Sequence, residues 1–283
     1  MIEAPSLSSL PKVMTVAGSD SGAGAGIQAD LKTFAALGCY GTTVLTAVTA
    51  QNTRGVLAIA EVPEEVIIAQ IDGVMEDIGA DAGKTGMLSS ASIIGNVADR
   101  LEAWGVAKLV VDPVMVAKSG DHLLHPSAVE SLKRELLPLA LVVTPNIPEA
   151  EVLCGQAIAS DDEARRAARV IHAMGPSWVV IKGGHRERAP IDLVFNGTDF
   201  FEIKADRVET VNTHGTGCTF SAAIAAYLAR DADPLQAIRL AKEYVTKALE
   251  ASYTVGKGHS PVNHFHARAG HHGTVALTSE ERS

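Results

Sequence analysis

The sequence predicts an α/β fold: a single domain on a mostly parallel central sheet, with helices on both faces. Three observations carry that expectation. Strand-like and helix-like patterns alternate almost from end to end, the order that yields parallel strands joined by crossover helices. One Asn196-Gly197 step between two alternating runs breaks that order and marks a small antiparallel hairpin. The chain has 283 residues, 47% hydrophobic and only 4% aromatic. That suits one large core in which Ala-rich helices pack closely on a sheet.

In order, residues 13–17 form a short buried strand that runs into glycine-rich 18–26. Residues 28–37 have helical spacing, with Leu31, Phe34, Ala35 and Leu37 on the apolar side and Gly38 as terminator. Thr- and Val-rich 42–50 is the second strand. Pro63 opens a helix through Val66, Ile67, Ile71, Val74 and Ile78. Next come strand 82–85, helix 90–104 closed by Gly105, strand 108–112, and helix 126–137 between prolines. Strand 141–144, helices 148–154 and 161–172, and strand 178–182 continue the alternation. The hairpin takes 191–195 and 199–203, and helices 218–230 and 234–252 finish the fold. The domain spans 12–267, and 268–283 is expected to be a flexible tail.

Several function classes are disfavoured at once. A net charge of −9 argues against nucleic-acid or membrane-surface partners. No apolar run approaches the roughly 20 residues of a membrane span, and the first ten residues lack a signal-peptide profile. Cys39, Cys154 and Cys218 are too scattered for a disulfide framework or a zinc cluster. A cytoplasmic, soluble protein is the simplest expectation.

The segment His214-Gly-Thr-Gly-Cys218 runs straight into an apolar helix. Two glycines allow a sharp turn, so successive amide N–H groups can point at one spot, and the helix end adds its own. That is an anion site, with phosphate the commonest candidate. Cys218 in the same positive field is expected to have a lowered pKa and to serve as a base. A cradle with a base inside it suggests phosphoryl transfer to a hydroxyl group. The alternative is a glycine turn with a buried cysteine.

Two lookalikes fail. Residues 79–85 resemble a P-loop but have three residues between the glycines where four are required. Gly24, Gly26 and Ala29 match a dinucleotide pattern, yet the preceding strand ends too early for its tight turn. A better signal is convergence. Ligands of open α/β sheets bind beyond the carboxyl ends of the strands, where Gly18-Ser19-Asp20, Gln51-Asn52, Asp112, Thr144-Pro145-Asn146 and Lys182-Gly183-Gly184 all fall. Each has a plain alternative; Asn146, for one, could simply cap the helix containing Glu149. His264, His266, His271 and His272 lack carboxylate or thiol company and read as surface and tail residues.

These segments resemble the ribokinase-like superfamily, and within it the hydroxymethylpyrimidine/phosphomethylpyrimidine kinases of thiamine biosynthesis. The matching stretches are Ala17-Gly-Ser-Asp-Ser-Gly-Ala-Gly-Ala-Gly-Ile-Gln-Ala-Asp30 and Thr49-Ala-Gln-Asn-Thr53. With them go Lys84-Thr-Gly-Met-Leu88, Asp112-Pro-Val-Met115, Ala117-Lys-Ser-Gly-Asp121 and Thr144-Pro-Asn-Ile-Pro-Glu149. Lys182-Gly-Gly-His185, Asn212-Thr-His-Gly-Thr-Gly-Cys218 and Pro261-Val-Asn-His-Phe-His266 complete a series covering nearly the whole chain. The family pattern departs at Ser21 and Ala23, where Pro and Gly are expected.

The resemblance implies a three-layer ribokinase-like fold and transfer of the ATP γ-phosphate to a pyrimidine hydroxymethyl group, then to its monophosphate. It implies Gly215, Thr216, Gly217, Cys218 and Lys182 as catalytic, and Thr144, Asn146, Glu149 and Lys182 around ATP. Asp112, Asn146 and Glu149 would hold Mg²⁺, directly or through water, and a monovalent cation is a further candidate. Gly18, Asp30, Gln51, Met87 and Val114 would bind the pyrimidine, with capping of the first helix the alternative for Asp30. The Gln51 amide can match a ring acceptor beside an exocyclic amine, while Met87 and Val114 sandwich the ring. A homodimer is expected. Pyridoxal kinase activity is the alternative on the same fold, and a non-catalytic pyrimidine sensor is the alternative of a different class.

Overall fold

The computed structural model describes residues 10–115, 127–183 and 191–268. Among these residues nine strands form one sheet in the order β3-β2-β1-β4-β5-β6-β7-β8-β9. They are β1 (Lys12–Asp20), β2 (Tyr40–Asn52), β3 (Gly55–Glu61), β4 (Ala82–Thr85), β5 (Leu109–Val111), β6 (Val142–Val143), β7 (Trp178–Ile181), β8 (Ile191–Phe195) and β9 (Phe200–Lys204). The six strands from β2 to β7 in that order run parallel, and β3, β8 and β9 are antiparallel additions at the two edges.

The period-two alternation of strand side chains separates two apolar layers. On one face Met14, Val16, Val111, Val143, Val179 and Ile181 meet Ile67, Ile71, Ile93, Val97, Leu153 and Ala168. These come from α2 (Glu64–Asp77), α3 (Ala91–Ala103), α5 (Ile147–Cys154) and α6 (Asp161–His172). On the other face Val13, Val110, Val142 and Val180 meet Phe34, Phe220, Ala223, Ile238 and Ala241. Their helices are α1 (Gly26–Ala36), α7 (Thr216–Ala229) and α8 (Pro234–Glu250). This is the expected three-layer arrangement with helices on both faces. The small side chains of α7, buried along nearly its full length, let it lie close against the sheet.

Two elements depart from the sequence reading. The strand β3 was not anticipated, because its side chains are exposed or half-buried and leave no core-facing alternation to read. The helix expected over 126–137 is broken up. After α4 (Ala128–Ser131) the chain widens into a π turn at Leu132–Leu136, where Leu137 N–H bonds Leu132 O, and then tightens into a 3-10 turn around Pro138. A proline there cannot donate to a regular ladder. Pro126, the segment 117–121 and the tail beyond Arg268 lie outside the described residues, as do Gly184, His185, His271 and His272. Among the described residues no helix is long and apolar enough to cross a membrane.

Candidate active site

The carboxyl ends of the parallel strands open into a cavity of about 620 Å³. β1 delivers Gly18, Ser19 and Asp20; β2 delivers Thr49 and Gln51; β4 and the turn after it deliver Lys84 and Met87. Asp112 and Val114 follow β5, Asn146 and Glu149 open α5, Lys182 follows β7, and Gly215 to Cys218 open α7. The convergence expected at the strand ends is therefore present.

Gly215 is the N-cap of α7 in the left-handed region, φ 75°. A side chain there would also collide with the Gly24 carbonyl, so the two glycine loops interlock backbone to backbone. The first intrahelical bond runs from Thr219 N–H to Gly215 O, which leaves the N–H groups of Gly217 and Cys218 free of an intrahelical acceptor. The Thr216 hydroxyl is turned away, donating to Thr213 O. Cβ built on Gly217 would sit 3.5 Å from Lys182 Nζ and 3.8 Å from Asp112 Oδ2. Backbone donors, a helix dipole and an ammonium thus meet at one point, an arrangement suited to a phosphoryl group.

Lys182 Nζ is 3.0 Å from Asp112 Oδ1 and 3.9 Å from Glu149 Oε2. Burial would lower the Lys182 pKa, but Asp112 and Glu149 outweigh it and raise it. The Asp112 carboxylate also accepts from Thr144 Oγ1 at 3.2 Å and Ser221 Oγ at 3.2 Å. Burial pushes Asp112 upward, while Lys182 and Lys84 hold it below the usual carboxylate range. Thr144 does not line the cavity, against the expectation from sequence; fully buried, it braces Asp112 from behind.

Asn146 and Glu149 form a reciprocal capping box on α5. Glu149 N–H donates to Asn146 Oδ1 at 2.9 Å, and Asn146 N–H to Glu149 Oε2 at 2.7 Å. The capping alternative is thus realised, and both residues still line the cavity. Glu149 is pushed up to about 7 by burial, with Lys182 pulling down and Asp112 pushing up. Among the described residues no cluster of three or more His, Cys, Asp or Glu could hold a metal unaided. Two carboxylates sharing one lysine do leave excess negative charge. That donor set fits Mg²⁺ brought with nucleotide phosphates and bound largely through water.

The Cys218 expectation needs correction. Its thiol is pushed up to about 11, chiefly by burial; Lys84 pulls down, Asp30 and Asp112 push up, and a Gly26 N–H bond pulls down. Desolvation outweighs the positive field that the helix start was expected to supply.

Asp30 does not line the cavity either. It is fully buried under β1 and β4, where its Oδ2 takes hydrogen bonds from Thr15 Oγ1 at 2.7 Å and Lys84 Nζ at 2.9 Å. Lys84, which lines the cavity, was missed as a site residue. Burial would lower its pKa, but Asp30, Cys218 and Asp112 raise it. The available signal was a lysine inside a four-residue strand of otherwise small or apolar residues. The P-loop lookalike was rightly set aside, since its Lys84 sits in β4 and not in a phosphate-wrapping loop.

The ring-binding candidates do assemble. Gly18, Gln51, Met87 and Val114 share the cavity wall, and Cβ at Gly18 would lie 2.6 Å from Met87 Cε. His214, also missed, lies among them. Its Nε2 is 2.9 Å from Asp20 Oδ2 and 3.4 Å from the Gln51 amide. Asp20 further accepts N–H groups of Gly22 at 2.8 Å, Gly24 at 3.0 Å and Ala25 at 2.8 Å, pinning the glycine loop. Of the terminal histidines, His264 is not a surface residue. It is buried and bonded to Thr219 Oγ1 at 3.1 Å, while His266 packs half-buried on the Tyr244 ring.

Fold and site together define a ribokinase-like phosphotransferase, a three-layer α/β kinase with an anion cradle at a helix start. The phosphomethylpyrimidine kinase family model matches residues 20–263, and the chain belongs to that family. It is 52% identical over 257 residues to the hydroxymethylpyrimidine/phosphomethylpyrimidine kinase of Rhizobium meliloti, covering 89% of this chain and 96% of that one. Among solved structures, an ADP complex of Bacillus subtilis pyridoxal kinase superposes with TM-score 0.86 at 38% identity, covering 92% of this chain and all of that one. A phosphomethylpyrimidine kinase from Clostridium difficile gives 0.76 at 44% identity, over 84% and 99% of the two chains. The protein is a kinase with ATP as co-substrate.

Proposed function

We propose that the chain phosphorylates 4-amino-5-hydroxymethyl-2-methylpyrimidine and then its monophosphate, giving the diphosphate used in thiamine biosynthesis. One observation carries the reading: the cradle Gly215–Cys218 and the ring-sized wall of Gln51, Met87 and Val114 open on the same cavity. The substrate oxygen attacks the γ-phosphorus of ATP, the bond to the β-phosphate oxygen breaks, and ADP leaves. The free backbone N–H groups of Gly217 and Cys218 meet the charge on the transferring group, with the Thr216 N–H held by Thr213 O, and Lys182 neutralises it. The thiolate form of Cys218, the minor one at neutral pH, accepts the proton of the hydroxyl. Asp112, Asn146 and Glu149 would hold Mg²⁺, which supplies counter-charge to the phosphates.

A second reading, pyridoxal phosphorylation, is favoured by the likeness to a pyridoxal kinase over 92% of the chain. Pyridoxal is also a flat ring with a hydroxymethyl group. ADP release with Mg-ATP, compared for hydroxymethylpyrimidine, its monophosphate and pyridoxal, separates the two. Turnover of both pyrimidines well above pyridoxal supports the first reading, and pyridoxal preferred replaces it. No release with any of the three would leave a pyrimidine sensor. Repeating the assay in potassium, sodium and tetramethylammonium tests for a monovalent cation, and chelation tests Mg²⁺. We further propose a cytoplasmic homodimer joined through the β8–β9 edge hairpin, checked by light scattering.

A further inference from the structure

We propose that His214, held by Asp20, is a positioning residue that fixes which way round the Gln51 amide presents its donor and acceptor. The inference rests on Gln51 being the group that reads the substrate ring.

The Asp20 carboxylate is pushed up by burial, but His214 and the N–H groups of Ala25 and Gly22 outweigh that and keep it ionised. A carboxylate only accepts, so His214 Nε2, 2.9 Å away, carries a hydrogen. As placed, the Gln51 NH₂ group lies 3.4 Å from that Nε2, so two donors face each other. The amide oxygen lies 3.1 Å from Thr49 Oγ1. That hydroxyl has one proton, and Ser19 O takes it at 2.9 Å, so Thr49 offers Gln51 only a lone pair. Both conflicts vanish when the amide is turned over, its oxygen toward His214, where it shares the single Nε2–H with Asp20, and its nitrogen toward Thr49. The two ends are nearly isosteric, and the network decides between them.

This orientation leaves one N–H and one oxygen lone pair of Gln51 for a ligand, with the acceptor on the His214 side. A ring carrying an acceptor nitrogen beside an amino group pairs with both. Its nitrogen takes the N–H on the Thr49 side, and its amine donates to the oxygen on the His214 side. The next ring substituent after the amine then continues past His214 toward Gly215 and the cradle. In 4-amino-5-hydroxymethylpyrimidine that substituent is the hydroxymethyl group. With the amide reversed, the ring would pair only when turned over, carrying the hydroxyl away from the cradle.

The test is a double-mutant cycle on the full chain, crossing Gln51→Leu with His214→Leu. It is run on the aminopyrimidine and on 5-hydroxymethyl-2-methylpyrimidine, which lacks the amine. His214→Leu should raise the aminopyrimidine KM about tenfold, the loss of one good hydrogen bond, while the ATP KM stays within about twofold. The analogue should be little affected, and His214→Leu should add almost nothing in the Gln51→Leu background. His214→Gln, which keeps a donor, should recover most of the loss. Equal loss on both ring substrates, or effects that add across the cycle, would overturn the proposal. Gln51→Leu with an unchanged aminopyrimidine KM would instead remove the ring-reading role and the proposal with it. Should His214→Leu fail to fold by circular dichroism, the shorter His214→Asn takes its place in the cycle, with His214→Gln kept as the rescue.

Discussion

Lys84 Nζ lies 2.9 Å from Asp30 Oδ2, and both side chains are sealed from solvent. The pair fastens α1 to β4 directly behind the cavity, and it couples the fold's stability to the floor of the site. A buried ion pair contributes little net stability, but breaking one half strands a charge. Asp30→Leu or Lys84→Met alone should therefore cost about 3–5 kcal/mol. The double variant should lose clearly less than the sum, because no unpaired charge remains. Urea unfolding of the four proteins measures this, and simple additivity would contradict it.

The Cys218 thiol, pushed up to about 11 chiefly by burial, is overwhelmingly protonated at neutrality. Its thiolate fraction rises about tenfold per pH unit below that value. If the thiolate takes the hydroxyl proton, kcat climbs from pH 7 to 9. A Cys218→Asp variant, whose carboxyl ionises at far lower pH than the thiol, gives a flatter profile over that range. Cys218→Ala should lose about 10²–10⁴ in kcat while still binding pyrimidine. A flat wild-type profile with full rate in Cys218→Ala would exclude the base role.

Ala23 sits at φ 58°, in the left-handed region, at one of the positions where the resemblance leads to an expected glycine. A Cβ there costs roughly 1–2 kcal/mol, partly offset by the greater chain entropy of glycine. Ala23→Gly should raise stability by about 0.5–1 kcal/mol, read as a higher Tm. The companion departure is compensated, since Ser21 Oγ donates to Gln51 O and accepts Gln51 N–H, tying the loop to β2. An unchanged or lower Tm would mean the strain is absorbed elsewhere.

His264 is held down at about 4 by burial, with Lys32 and His266 adding positive charge nearby. Its folded pKa is below the unfolded value near 6.5, so the unfolded chain binds more protons between those two pH values. Its contribution is complete above 6.5 and is lost as pH falls toward 4, to a maximum of about 3 kcal/mol. Urea midpoints at pH 7.5, 5.5 and 4.5 should fall more steeply for the wild type than for His264→Gln. Parallel slopes would show that His264 charges without penalty.

The three layers were legible because they follow from local pattern. Buried strands such as Leu109–Val111 and helices such as Asp161–His172 announce themselves in consecutive residues. The hairpin at Asn196-Gly197 and the cradle at Gly215–Cys218 were legible for the same reason. The strand β3 was not, since exposure removes the alternation by which strands are read. His264 was misread because its partners, Thr219 and Tyr244, are 45 and 20 residues away along the chain.

By itself, then, the sequence determined the layer order, the loops that meet at the strand ends, and the kinase family. Those depend on periodicity, turn chemistry and residue type, all encoded within short windows. Only the tertiary structure decided which side chains face the cavity and which stand behind it. Asp30 withdrew to hold Lys84, Thr144 to brace Asp112, and His214 came forward through Asp20, 194 residues away. It also set the sign of the Cys218 shift, because burial depth is a property of the packed layers and not of any local run.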